Sequence, residues 1–285
     1  TTKNSILRMY AVTPCHAVSG SALGVVDLPI QRERHTNWPM IQASGMKGAM
    51  RVHFERNKSV LGDDHGGSIT EYIFGSESKE SAGAFSVSDA KILAFPMRSN
   101  VAPFVWITCP SVLERLSKDI KLAGKTGLSL TNINPKENEA LWVNGDFTAD
   151  KKVFLEDMEV SCVNKADLSG DEGIFSACGR LLIVNDAIFN YGVSQCTQIM
   201  AQIKIDQSSG TTADGSLRYQ EELPADTVMY CLLRWGDSKS ADSGLKADQI
   251  KEFFETKVMK DYLQAGGDES LGRGIFELSW IEGGK

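Results

Sequence analysis

The chain has 285 residues, 30 of them basic and 37 acidic, for a net charge of −7, with 42% hydrophobic and 24% charged residues. That balance suits a folded globular protein and excludes a disordered chain. No run of about 18 apolar residues occurs, so neither a membrane-spanning helix nor a membrane partner is expected, and the acidic balance argues against indiscriminate nucleic-acid binding over the whole surface.

Thr1-Thr2-Lys3-Asn4 leads straight into apolar sequence without a basic stretch ahead of a hydrophobic one, so no signal peptide is expected. Ile6 to Val12 reads as a first strand, ended by Thr13-Pro14. A Gly/Ser-rich connection follows, through Ser19, Gly20, Ser21 and Gly24. Met46, Ala49, Met50, His53 and Phe54 then recur at helical spacing, with Lys47 and Arg51 four apart on one face. Ser68 and Glu71 have the spacing of a capping box for a short helix ending near Gly75. Ala84 to Phe95 predicts one or two strands and Val101 to Ile107 another. Leu113, Leu116 and Ile120 predict a helix from Pro110 to Leu122, closed by Gly124.

Residues 124–150 read as polar and loop-rich. Leu181 to Val184 suits a buried strand, and the alternation of Ile199, Ala201, Ile203 and Ile205 suits a half-exposed one. Gln207 to Ser216 is too polar and too small-residued to pack a core, so it is expected to project as a hairpin or arm. Thr227 to Leu233 is strand-like, Ile250, Phe254, Val258 and Tyr262 predict a helix ended by Gly266-Gly267, and Gly274 to Ile281 predicts the last strand. The succession is α+β and compatible with a ferredoxin-like β-α-β-β-α-β unit in one decorated domain over residues 1–285.

Cys15, Cys109, Cys162, Cys178, Cys196 and Cys231 include no CxxC pair, so a structural zinc site is not expected. They read as small buried hydrophobes in a reducing cytoplasm.

Four segments have the makings of chemistry. In the loop from Cys15 to Ile30, Gly and Ser expose N–H groups to an approaching anion, and Asp27 reads either as a metal ligand or base, or as a turn cap before Pro29. His16 reads either as an acid/base group or as a hydrogen-bonded turn histidine. Arg32 and Arg34 add positive charge just beyond. The second segment, Ser44-Gly45-Met46-Lys47-Gly48-Ala49-Met50-Arg51, sets a glycine-bearing helix start beside two cations, suiting phosphate, but lacks the Walker spacing of an NTPase. The third, Gly266 to Gly274 with Gly272 and Arg273, precedes a strand rather than a helix, so it is no dinucleotide fingerprint; it suits either close approach of an RNA backbone or a plain connection. In the fourth, after the arm, Arg218 and Tyr219 suit a phosphate contact and a base wedge, or else an ordinary surface hairpin.

Together, in order, "SALGVVDLPIQRERH", "SGMKGAMR", "IKIDQSSGTTADGSLRYQEELP" and "GGDESLGRG" resemble the backbone subunit of the type III-B CRISPR effector, the fourth protein of the Cmr module, within the RAMP superfamily. The resemblance spans about residues 5–281. It implies a ferredoxin-like, RRM-like palm with a protruding β-hairpin thumb near 200–226 and inserted loops. It implies copies stacked head to tail along guide CRISPR RNA, with other Cmr-type effector subunits, and single-stranded target RNA cut at regular intervals. It further implies that Asp27, His16 and Glu222 fall on catalytic positions and that Asp27 holds a divalent metal, Mg²⁺ or Mn²⁺. Ser44, Gly45, Lys47, Arg51, Arg32, Arg218, Tyr219, Gly272 and Arg273 are the expected RNA contacts. Two alternatives stay open: a non-cleaving structural backbone that only binds guide RNA, and a guide-processing ribonuclease using His16.

Overall fold

A computed structural model describes residues 3–20, 26–62, 68–76, 81–240 and 242–282. Ser21 and Gly24 of the expected anion-accepting loop lie outside the described residues.

The first strand, β1 (Lys3–Ala11), is buried on both faces, which is why its apolar run is nearly continuous. A short β2 (Met40–Ile41) leads into α1 (Ala43–Asn57), whose Met46, Met50 and Phe54 bury one stripe. The helix start has no side-chain cap of its own. Instead Asp89 Oδ1 accepts the Ala43 N–H at 2.7 Å, and Gln31 Oε1 accepts that of Gln42 at 2.8 Å. Next come α2 (Ile69–Phe74), β3 (Gly75–Ser76), β4 (Ser81–Ala82), β5 (Phe85–Val87), β6 (Ala90–Arg98) and β7 (Phe104–Thr108). The expected capping box does not form: Ser68 stands at the N-cap of α2 without a side-chain cap bond, its φ of −91° and ψ of 1° being unlike the extended backbone of a capping residue. The helix α3 (Pro110–Leu122) has the expected bounds, with proline in its first turn.

The stretch read as loop carries β8 (Glu139–Asn144), and β9 (Lys152–Leu155) and β10 (Met158–Lys165) follow. Then come β11 (Leu181–Ile183), α4 (Asp186–Gln195), β12 (Gln198–Gln202), β13 (Arg218–Glu222) and β14 (Val228–Trp235). The expected helix over 250–262 is shorter: α5 (Ala247–Glu252) continues as a π-helical turn over Phe253–Val258, and Tyr262 stands exposed in β15 (Tyr262–Gln264). A 3₁₀ turn at Glu269–Leu271 precedes β16 (Ile275–Glu282).

Among the described residues one large mixed sheet runs β15-β16-β1-β14-β6-β7-β11-β8-β10-β9, with β2 and β5 attached at its side. In its first half β16, β1, β14 and β6 are antiparallel neighbours. Its second half mixes directions, β11 being parallel to β7 and β10 to β8. This half closes on itself. Leu155 of β9 bridges Ser99, the Glu156 N–H donates to Arg98 O at 3.0 Å, and Asn100 Oδ1 accepts the Phe154 N–H at 2.8 Å.

Both faces of the first half are covered. On one, Phe54, Phe74, Phe85, Trp235 and Phe254 pack with ring centroids 5.0 to 5.8 Å apart. On the other, Asp119 of α3 accepts Lys91 Nζ at 2.7 Å and Tyr230 OH at 2.8 Å, and Arg8 Nη1 reaches Ser176 Oγ at 2.7 Å. Neither face is therefore an open platform on which bases stack.

Candidate functional site

The chain after β1 turns back and lies along β13. Leu28 pairs with Gln220 in a parallel bridge, its N–H donating to Tyr219 O at 3.1 Å and its carbonyl accepting the Glu221 N–H at 3.0 Å. That register brings Asp27 beside Tyr219, whose backbone N–H donates to Asp27 Oδ2 at 2.7 Å. The Asp27 carboxylate is exposed, as are Arg218 and Tyr219 on β13. The arm between β12 and β13 rises from this place. It is held by the bridge of Ile205 to Thr212 and by bonds from Asp206 N to Thr211 O and from Ala213 N to Lys204 O, each 2.8 Å. Ile199, Ile203, Ile205 and Leu217 stand exposed along it. At its tip the hydroxyl and N–H of Ser208 and the N–H of Ser209 hold the Asp206 carboxyl down to about 2.

Behind this exposed group lies a buried polar layer. Glu221 accepts from the Ile30 N–H at 3.0 Å, Arg32 Nη2 at 2.5 Å and Thr197 Oγ1 at 2.7 Å. It fastens the Asp27 loop to the start of β12 as well as to its own strand. Arg32 Nη1 donates to Asn37 O at 2.8 Å and Val193 O at 2.9 Å, so its guanidinium ties loop to α4 rather than standing ready for a polymer, contrary to the expectation. His16 is buried, with Nδ1 2.7 Å from Glu221 O. Since a carbonyl only accepts, Nδ1 carries the proton, and the imidazole holds the loop in place. Glu222 is 0% exposed and paired with Arg273 Nε at 2.8 Å. Its carboxylate is directed inward, not to the surface that presents Asp27.

The glycine-rich loop joins this layer from the other side. Gln220 Nε2 donates to Asp268 Oδ2 at 2.6 Å and to Glu222 Oε1 at 3.3 Å, while Gln202 Nε2 donates to Gln220 Oε1 at 3.1 Å. The same loop meets the first one where the Gly267 N–H donates to His16 O at 2.8 Å. Between the first loop, α1 and the glycine-rich loop opens a cleft of about 390 Å³, lined among others by Val18, Gly45, Gly48, Val52, Arg56 and Gly267. Gly48 has open space where a side chain would stand, so a ligand can approach the helix backbone there.

Of the residues expected along α1, Ser44 and Gly45 lie exposed in its first turn. Lys47 lies on another face: its ammonium sits 5.2 Å from the Phe85 ring centre, and burial first, then the Arg51 and Lys239 charges, holds it below the usual lysine range. Arg51, exposed, lines a neighbouring concavity of about 480 Å³ with Glu55, Arg56 and Thr70. The sequence reading missed Arg56, which faces the cleft and bonds Glu269 Oε1 at 2.6 Å; its place one turn beyond Val52 was the available signal. It also missed Gln220, Glu221 and Asp268, which no local pattern marks.

Among the described residues no cluster of three or more His, Cys, Asp or Glu side chains is arranged to hold a metal. One exposed carboxylate suits an ion that keeps most of its waters and takes further ligands from a bound phosphate, as Mg²⁺ does. No helix is long and apolar enough to cross a membrane among the described residues.

A family model described as the RAMP superfamily matches residues 8–277. The chain is 35% identical to the CRISPR system Cmr endoribonuclease Cmr4 of Pyrococcus furiosus, over 98% of this chain and 96% of that one. It is 27% identical to the CRISPR system CMR subunit Cmr4 of Saccharolobus solfataricus, covering 95% and 94% of the two chains. The crystal structure of oligomeric Cmr4 from Pyrococcus furiosus superposes with a TM-score of 0.72 at 27% identity over 100% of both chains. A Cmr-beta complex of type III-B bound to cognate target RNA contains a chain similar in fold, with a TM-score of 0.74 at 21% identity over 98% and 97% of the two chains.

Proposed function

The chain belongs to the RAMP superfamily, among its Cmr4 proteins, and from that premise we propose that it is the backbone subunit of a type III-B effector that cleaves target RNA opposite a guide RNA. The observation that carries this reading is the Asp27 carboxylate, exposed at the root of the arm and held by the Tyr219 N–H at 2.7 Å. A scaffold that only bound guide RNA would have no use for an acid fixed there. The antiparallel order of β16, β1, β14 and β6, with helices crossing between them, supports reading the first half-sheet as a ferredoxin-like palm. The exposed Ile203, Ile205 and Leu217 support reading the arm as a thumb that opens the guide–target duplex.

An opened nucleotide leaves A-form geometry, so its 2′-OH can align with the neighbouring phosphorus. Asp27 takes the 2′-hydroxyl proton, or would hold a divalent ion that makes that hydroxyl more acidic, as the 2′-oxygen bonds to phosphorus and the P–O5′ bond breaks, leaving a 2′,3′-cyclic phosphate and a 5′-oxygen protonated by water. Mg²⁺ or Mn²⁺, when bound, would neutralise charge developing on the phosphate oxygens. The Tyr219 N–H fixes the carboxylate's direction and Glu221 fixes the loop that carries it. The cleft beside α1 admits an RNA backbone at Gly45 and Gly48, with Arg56 and Arg51 as the local positive charge. Since pairing with the guide selects the target, contacts to backbone suffice for any sequence. Copies stacked head to tail would repeat the acid at a fixed spacing and give cuts at regular intervals. His16 and Glu222 act in this reading by holding loops.

The test is the assembled complex with guide RNA and end-labelled target, in Mg²⁺ and in EDTA. Evenly spaced products in Mg²⁺ that vanish in EDTA support the reading. Tight target binding without products in Mg²⁺ or Mn²⁺ would leave the non-cleaving backbone, and cutting of precursor guide RNA by the isolated chain would favour the processing enzyme.

A further inference from the structure

The amide of Gln220 occupies an unusual position. It is 1% exposed, yet it lies on the strand between Tyr219, which bonds the exposed Asp27, and Glu221, which clamps the Asp27 loop. Its Nε2 donates to two carboxylates from separate segments, Asp268 of the glycine-rich loop at 2.6 Å and Glu222 at 3.3 Å. Its Oε1 accepts from Gln202, at the base of the arm, at 3.1 Å. Asp268 is itself held in a left-handed turn at φ +57°, and its carbonyl accepts the N–H groups of Leu271 at 2.9 Å and Arg273 at 3.2 Å. Both faces of the amide are therefore used, and each partner belongs to an element that borders a different part of the candidate site.

We infer that Gln220 is a positioning residue for the cleavage step: it locks the glycine-rich loop, the base of the arm and the Asp27-bearing loop into one register, so that the Tyr219 N–H presents the Asp27 carboxylate in one direction. Leu28 sits opposite Gln220 in a parallel bridge, bonded to Tyr219 O and to the Glu221 N–H on either side of it, so any slip of β13 moves the acid directly. A carboxylate at residue 220 would repel Asp268 and Glu222 together, and an apolar side chain would leave Asp268 without its buried donor. Amide is the one side chain of this length that donates to both acids while accepting from Gln202. The inference rests on the cleaving function proposed above.

The experiment uses the assembled complex with guide RNA, comparing the parent with Gln220→Leu, Asp268→Gly and Asp268→Asn. Glycine tolerates the left-handed turn but removes the acceptor; asparagine tolerates it and keeps one. Gln220→Leu and Asp268→Gly are expected to slow single-turnover cleavage by about 10- to 100-fold, the scale of a misplaced reacting group, with target affinity changed less than twofold. Asp268→Asn is expected to recover most of the rate lost in Asp268→Gly. Hydrogen exchange on the isolated chain gives a readout independent of activity: Gln220→Leu should speed exchange at Tyr219 and Leu28 while β1 and β14 stay protected. Parent-like rates in Gln220→Leu and Asp268→Gly overturn the inference, as does a loss of target affinity in proportion to rate. A parent complex that yields no products overturns instead the reading on which it rests.

Discussion

The Tyr219 N–H and the Asp27 carboxylate, 192 residues apart in sequence, meet at 2.7 Å on the surface at the root of the arm. Of the standard residues only proline lacks this backbone donor, so short of that substitution the geometry at Asp27 depends on the register of β13 rather than on the identity of residue 219.

Asp27→Asn separates charge from position. Asparagine still accepts the Tyr219 N–H, so the loop should stay where it is and assembly and target binding should persist. Cleavage should fall by about 100-fold or more, the usual contribution of a positioned acid/base group. Gel analysis of labelled target, run beside a binding titration, checks both halves.

Glu221→Ala should act on stability. It strips partners from Arg32, Thr197 and the Ile30 N–H at once, in a place where the two charged side chains are 8% and 15% exposed. Breaking a buried pair on one side costs about 3–5 kcal/mol. Urea unfolding of the isolated chain should show that loss as a lowered midpoint.

Two glycines of one loop should respond differently. A Cβ at Gly274, φ +72°, would lie 1.9 Å from Ala265 O, so Gly274→Ala forces the backbone apart and should cost more than about 3 kcal/mol. Gly272, φ +74°, faces open space, so Gly272→Ala pays only the left-handed conformation, about 1 kcal/mol. Thermal unfolding of the two variants distinguishes them.

The buried thiols predict an alkaline limit. Burial, and for Cys15 also the Glu222 charge, pushes Cys15, Cys178 and Cys231 each up to about 12, whereas a thiol in the unfolded chain ionises near about 8.5. Their folded values are raised, so their contribution is complete below about pH 8.5 and is lost as pH climbs toward 12. Unfolding midpoints should hold level up to about pH 8 and then decline, and at pH 8 these three should resist a thiol reagent until the chain unfolds.

Local periodicity made the helical half of the fold readable. Met46, Met50 and Phe54 mark α1, and proline in its first turn with Leu113, Leu116 and Ile120 marks α3. In β9 it failed because the strand is only four residues long and one of its two outward residues is itself apolar: buried Val153 and Leu155 alternate with exposed Lys152 and Phe154, so no apolar/polar alternation shows in the sequence. The helix α4 did carry a signal, Asn185 accepting the Ile188 N–H ahead of buried Phe189 and Val193. The π-helical turn shifted the C-terminal periodicity, so Tyr262 fell out of the helix and into β15. Within the candidate site, Asp27, Arg218 and Tyr219, which the sequence singled out, stand exposed, whereas the inward direction of Glu222 and Arg32 follows from partners far along the chain, Arg273 and Glu221, that no spacing reveals.

The closure of β9 against residues 98–100 has a consequence for assembly. A strand whose amides are already engaged offers no template for a foreign segment. A protein proposed to line up in many copies on a nucleic acid runs a particular hazard, that neighbours fuse through their sheets into runaway fibrils. Sealing this rim leaves side chains and loops as the means of contact there.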